Sequence, residues 1–505
     1  MINSDYARFL PLVQEIYYLR TTAGLLSWDQ ETMMPPKAAE IRAKQLATLS
    51  SLHHQKLTSP EFGDLLGQLE TQTLEADAQV VVREMGRDFR RAVTVPTALV
   101  KEISETTSLA YNVWNRARIQ SDFEMFAPWL KKIIRLKTEE AHCLGFEKNL
   151  YDAHLDDYEP GLTAESAGRL FALIREQVIA LVDGAVAASN KHKDDGWLSA
   201  TYPTELQRSF GHEIVDSMGI DWQGGRMDVS PHPFCSGNGP TDVRITTRYN
   251  ENDFLVSLFG IIHEAGHALY EQGLDVSRFG TPLCDTVSLG IHESQSRLWE
   301  NLVGRSREFW EHWFPRFQKT FPNQTRGLEF DQFYGAINKV ERSLIRVDAD
   351  ELTYNLHVIL RFELEQAIFE GQLSVDGLEE AWNQKMKLYL DRIPPDSAHG
   401  VLQDVHWASG LIGYFPTYLL GNVYAAQFHL QAKKDIPDLT DQIRSGNLMN
   451  LREWLRKNIH LQGKRYSASD LVRRVTGEPP NPKYFIDYLK QKFSTNADFG
   501  MRNAE

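Results

Sequence analysis

His263 and His267 stand four residues apart with Glu264 directly after the first, in the run Ile261-Ile262-His263-Glu264-Ala265-Gly266-His267-Ala268-Leu269. On a helix this spacing puts both imidazoles on one face a turn apart, so that both reach one metal ion while the glutamate leans over its open side. That is the chemistry of a zinc peptidase, in which the ion polarises a carbonyl and acidifies water and the glutamate moves the proton. Such a site needs a third protein ligand and leaves one position for water. Glu293, in Gly290-Ile291-His292-Glu293-Ser294-Gln295-Ser296-Arg297, is the first candidate, because a following antiparallel helix can return a carboxylate to the same point. Glu300 is the alternative. His292 points about 100° away from Glu293 on a helix and suits a role supporting a ligand or meeting substrate.

The flanking pattern supplies the helix. Leu255, Leu258, Phe259, Ile262, Gly266 and Leu269 form an apolar stripe, and Asn252 or Asp253 can cap its start. Gly273 is placed to end it in a left-handed conformation. Up to about residue 190 the chain reads as amphipathic helices, broken at Met33-Met34-Pro35-Pro36, with Pro96, Pro128 and Pro160 marking helix starts or turns. Between about 196 and 250 Gly, Pro and Ser cluster, and the run Val243-Arg244-Ile245-Thr246-Thr247-Arg248-Tyr249 reads as a strand. A small sheet is therefore expected beside the histidine helix, forming a rim of the site. Beyond residue 285 the pattern is helical again, interrupted at Phe321-Pro322-Asn323-Gln324 and at 393–400. The fold class is mainly α.

Composition narrows the partners. A net charge of −14 with no basic run argues against nucleic acid or an anionic membrane, and no apolar run is long enough to span a bilayer. Peptides or small molecules fit better. Three cysteines, Cys143, Cys235 and Cys284, without metal-binding spacing suit a reducing, cytoplasmic setting.

Several segments, in order, resemble the carboxypeptidase Taq family of metallocarboxypeptidases. They are His232-Pro233-Phe234, Asp242-Val243-Arg244-Ile245-Thr246, the histidine helix with His292-Glu293-Ser294-Gln295, Ile345-Arg346-Val347-Asp348-Ala349-Asp350, and Gly400-Val401-Leu402-Gln403-Asp404-Val405-His406-Trp407. Ser27-Trp28-Asp29-Gln30-Glu31-Thr32 and Gly477-Glu478-Pro479-Pro480-Asn481-Pro482 extend the likeness to nearly the full length. The resemblance implies a two-lobed helical body around a deep groove, one catalytic domain over residues 1–505, a homodimer, and removal of single residues from peptides with a free C-terminus, with broad specificity.

On that reading His263, His267 and Glu293 hold Zn2+, replaceable by Co2+ or Mn2+, and Glu264 is the general base acting on the metal's water. Tyr418, then Tyr414, with His406 as an added donor, face the developing oxyanion. Arg346 is the leading anchor for the substrate carboxylate, because a planar guanidinium binds one bidentately; an i,i+4 ion pair with Asp350 is its structural alternative. Asp242 and Arg244 order the rim or pair its edge with the substrate backbone, and His232 belongs to the same rim. A metallo-endopeptidase or oligopeptidase with the same metal helix is the nearest rival. A non-catalytic peptide-binding scaffold is the more distant one, disfavoured by the base beside an open metal position.

Overall fold

The computed structural model describes residues 3–190 and 196–494. Among these residues it contains twenty α-helices and one three-stranded sheet, the mainly α architecture expected. Two hydrophobic cores underlie two lobes. The smaller is built by the helices Ser4–Thr32, Ala39–Leu57, Pro60–Glu70 and Ala76–Thr94, whose Phe9, Val13, Phe62, Leu66, Val81 and Met85 are buried together. The chain breaks after Thr32 at the expected proline pair and restarts through a short 3-10 turn, Pro36–Ala38. Leu283, from just before the candidate ligand helix, is inserted into this core and joins it to the main body.

The larger core surrounds the helix Pro416–Asp435, which is buried around most of its circumference, as a helix with almost no polar face must be. Pro128 departs from expectation. It lies inside the helix Phe123–Leu144, which starts earlier because Asp122 accepts a hydrogen bond from the Met125 N–H.

The sheet comprises β1 (Gly225–Val229), β2 (Cys235–Gly237) and β3 (Val243–Thr247) in the order β1-β3-β2. β1 runs parallel to β3, with Met227 opposite Ile245; β2 runs antiparallel, with Ser236 opposite Arg244. The buried side of β3 packs on the helix Phe254–Gly273. Trp28 locks the N-terminal helix to this sheet: its ring lies under the guanidiniums of Arg244, at 4.3 Å, and Arg226, at 4.9 Å.

Candidate active site

Of the two candidate caps it is Asp253 that starts the helix Phe254–Gly273, its carboxylate accepting from the Val256 N–H. The helix ends differently. Gly273 is its last helical residue and has no positive φ; a side chain there would collide with the His460 ring, so close packing rather than a left-handed turn requires the glycine. Gly266, one residue before His267, serves a similar purpose. An added Cβ would sit 2.7 Å from the Ser296 Cα, so its absence lets the helix Leu289–Arg297 cross closely enough to bring Glu293 to the histidines. On the far side Gly421 does the same for the helix Pro416–Asp435, where a Cβ would stand 2.5 Å from the Glu293 Cγ.

The result is a compact donor set. One ligand atom each of His263, His267 and Glu293 lies within 4.8 Å of the others. The Glu293 Oε2 is 3.7 Å from the His263 Nε2 and 3.5 Å from the His267 Nε2. Both imidazoles have their other nitrogen occupied: the His263 Nδ1 bonds to the Glu300 Oε2 at 2.9 Å, and the His267 Nδ1 donates to the His292 carbonyl at 3.1 Å. A proton fixed on Nδ1 leaves each Nε2 lone pair facing the shared point, which is how a metal-binding imidazole is oriented. Two imidazoles and one carboxylate, so turned, fit a divalent cation of zinc type. Glu300 thus meets the outward nitrogen of His263 rather than the donor set, from a π-helical turn, Leu298–Val303, that continues the ligand helix. His292 stacks on His267 with ring centres 4.3 Å apart, and its Nε2 bonds to the Glu271 Oε1 at 3.0 Å.

Electrostatics sharpen these roles. Burial alone would raise the Glu293 carboxyl, but Arg297, whose Nε donates to it at 2.7 Å, and His263 hold it well below the usual range. Burial keeps His267 neutral, pushing it down to about 3. It opposes a charge on His263 too, yet Glu293 and Glu300 outweigh it and raise that imidazole. Burial pushes Glu264 up to about 7, partly offset by His263. Glu264 is therefore a carboxylate whose proton is exchangeable near neutrality, the property a general base needs.

The aromatic residues named from the sequence are also brought together. The His406 Nε2 is 3.1 Å from the Tyr418 Oη, and the rings of Tyr414 and Tyr418 meet edge to face at 5.4 Å. The charge of Glu293 reaches both phenols. Burial pushes His406 down to about 4, so its imidazole is neutral.

Arg346 does not pair with Asp350. It sits in a 3-10 turn, Arg346–Asp348, outside any α-helix, so the i,i+4 geometry does not exist. Asp350 instead accepts from the Leu352 and Thr353 N–H groups. The Arg346 guanidinium, 6 % exposed, donates to the Asp404 Oδ1 through Nε (3.0 Å) and Nη2 (2.8 Å), and to the Tyr354 Oη through Nη1 (3.0 Å). The Arg361 Nε takes the other Asp404 oxygen at 2.6 Å. Tyr354 ties this group to the donor set, since Arg297, which holds Glu293, lies 4.5 Å from its ring centre.

Arg244 pairs bidentately with Asp242 at 2.7 and 3.0 Å over the Trp28 ring, and His232 is exposed, its carbonyl accepting from the Ser230 hydroxyl. The sequence reading does not single out Arg297, Asp404 or Arg361, which contact the candidate residues. Arg297 carried a signal, its i+4 spacing from Glu293; the pairing of Arg361 with Asp404 spans 43 residues and left none.

A helical body with a two-histidine, one-carboxylate donor set and an adjacent buried glutamate has the make-up of a metallopeptidase. The sequence profile of the Carboxypeptidase Taq (M32) metallopeptidase family matches residues 8–493. The chain is 44% identical to thermostable carboxypeptidase 1 of Thermus thermophilus, over 97% of this chain and 99% of that protein. It is 38% identical to carboxypeptidase 1 of Bacillus subtilis, over 98% and 99%. The crystal structure of the M32 carboxypeptidase from Deinococcus radiodurans superposes with a TM-score of 0.95 at 38% identity, covering 98% of this chain and 99% of that one. The chain belongs to the carboxypeptidase Taq (M32) metallopeptidase family.

Proposed function

We propose that this protein is a zinc metallocarboxypeptidase that removes single residues from the free C-terminus of peptides, with broad tolerance of the residue removed. The observation that carries this reading is the pairing of two features in one place. The donor set of His263, His267 and Glu293 lies beside Glu264, and two intervening side chains, Arg297 and Tyr354, connect it to Arg346.

His263, His267 and Glu293 would hold the cation, zinc on this donor set, with Co2+ or Mn2+ as substitutes. When bound it supplies Lewis acidity, polarising the scissile carbonyl and making water more acidic. Glu264 accepts the proton of the attacking water on its carboxylate as the C–O bond forms, then returns a proton to the amide nitrogen as the C–N bond breaks. Tyr418, Tyr414 and His406 donate hydrogen bonds to the carbonyl oxygen as it gains charge.

Arg346 recognises the terminal carboxylate. Asp404 shares its one negative charge between two guanidiniums, Arg346 and Arg361, so it leaves a surplus of positive charge on Arg346. A substrate carboxylate neutralises that surplus, whereas the interior of a peptide does not. Asp242, Arg244 and His232 form the rim along which the peptide backbone lies. The profile match spans both cores, which supports one catalytic domain over 1–505. The homodimer rests on the family resemblance. No described helix is long and apolar enough to cross a membrane, and Cys143, Cys235 and Cys284 are free thiols, which supports a reducing, cytoplasmic setting.

Exhaustive chelation is expected to abolish trimming of an unstructured peptide, and about one equivalent of zinc to restore it. Metal content measured alongside the rate checks this. Full activity in metal-free protein would defeat the proposal.

A further inference from the structure

We infer that Glu365 is a positioning residue for this reaction: through Trp407 and Gly413 it fixes the segment 404–415 so that His406, Tyr414 and Tyr418 face the donor set. The inference rests on the reading of those three groups as hydrogen-bond donors to the reacting carbonyl.

Residues 391–415 contain no α-helix, so this stretch needs tethers if it is to present side chains accurately. Glu365, on the helix Tyr354–Phe369, is 1 % exposed. Its Oε1 accepts from the Trp407 indole N–H at 2.8 Å, and its Oε2 from the Gly413 N–H at 3.0 Å. Each tethered residue is the chain neighbour of a proposed donor: Trp407 follows His406, and Gly413 precedes Tyr414. Tyr418 follows within the first turn of the next helix, Pro416–Asp435.

A second support lies beneath. The Tyr151 hydroxyl donates to the Glu365 Oε2, and Tyr151 leads into the short helix Asp152–Tyr158. Gly413 has φ +84°, and a Cβ there would stand 2.8 Å from the His154 carbonyl carbon and oxygen, so the segment rests directly on that helix. Tyr158, at the helix's end, puts its ring edge to face with Tyr414 at 5.1 Å.

The chemistry of the tether is specific to a carboxylate. Glu365 meets three donors and no acceptor, which its two carboxylate oxygens satisfy together; burial pushes the group up to about 7, and the three donors work against that rise by favouring the carboxylate. A glutamine has one oxygen and would turn its NH2 toward the N–H of either Trp407 or Gly413, leaving a buried donor without an acceptor. The segment would then shift, and a displacement of about 1 Å at a positioning element is enough to slow turnover on the order of 100-fold.

The test uses the full-length, zinc-loaded enzyme. Glu365→Gln is measured for kcat and KM in the wild-type and Tyr418→Phe backgrounds, with Tyr151→Phe as a gentler variant that removes one of the three donors. Glu365→Gln is expected to lower kcat by about tenfold or more while KM changes less than about threefold. In the Tyr418→Phe background its further effect should be smaller than in the wild type, because both substitutions act on one cooperating set of donors. Tyr151→Phe should show the same pattern at smaller amplitude, and it decides the matter if Glu365→Gln does not fold. A loss of equal factor in both backgrounds would overturn the inference. So would an unchanged kcat in both the Glu365 and Tyr151 variants while Tyr418→Phe is impaired. Undiminished kcat in Tyr418→Phe, Tyr414→Phe and His406→Ala alike would instead remove the donor reading itself, and this inference with it.

Discussion

Glu264→Gln is expected to lower kcat by about 10³-fold while leaving metal content unchanged. The side chain is 7 % exposed and lies between two candidate ligands in sequence, yet the donor set closes without it through Glu293. Glutamine keeps the shape and the packing but cannot take a proton from water. Steady-state rates together with metal analysis of the purified variant check this, and loss of metal in step with activity would instead make Glu264 a structural part of the site. The pH dependence follows the same group. Burial lifts Glu264 to about 7, and the proposed mechanism needs its ionised form as the base, so kcat/KM should decline as pH falls through that region. Residual turnover in Glu264→Gln should lack that acid limb.

The second large effect belongs to Arg346. Arg346→Met is expected to reduce kcat/KM on free-acid peptides by about 10²-fold or more, chiefly by raising KM, since truncating one member of a buried charge pair costs about 2–5 kcal/mol. Arg346→Lys should rescue little, because an ammonium has the charge without the planar fork. The fold should tolerate both changes better than catalysis does. Arg361 still neutralises Asp404, with its Nε at 2.6 Å and its Nη2 held 2.7 Å from the Gln403 Oε1. Kinetics on a matched peptide, with thermal unfolding of each variant as the control, separate the two consequences. Wild-type KM in Arg346→Met would assign carboxylate recognition elsewhere.

What could be read from the sequence was what is local. The spacing of His263 and His267, the Asp253 cap and the strand starting at Val243 depend on neighbours within a few residues, and each stands where the pattern placed it, the strand ending at Thr247 rather than Tyr249. Glu293 and Glu300 were both open as third ligand because both lie on one continuous helical run. What separates them is the orientation of His263, whose Nδ1 faces Glu300 and whose Nε2 faces Glu293. No periodicity encodes that. Gly273 and Pro128 depart from local rules for a related reason: those rules make them a helix end and a helix start, while His460 packing and the Asp122 cap decide. The surroundings of Arg346 were the least legible. Its partners Tyr354, Gln403 and Asp404 come from a helix and an irregular segment that meet only in the folded chain, and the visible partner at i+4, Asp350, turned out to cap a turn.

The central claim, metal-dependent hydrolysis directed by a free C-terminus, is tested most directly by mass spectrometry of one unstructured peptide in two forms. Free-acid and C-terminally amidated versions are incubated with zinc-loaded protein, each with and without chelator. The account predicts a ladder of single-residue losses from the C-terminus of the free acid alone, stopped by chelation. Internal cuts in both versions would contradict it and make the protein an endopeptidase, with Arg346 holding Asp404 rather than a substrate.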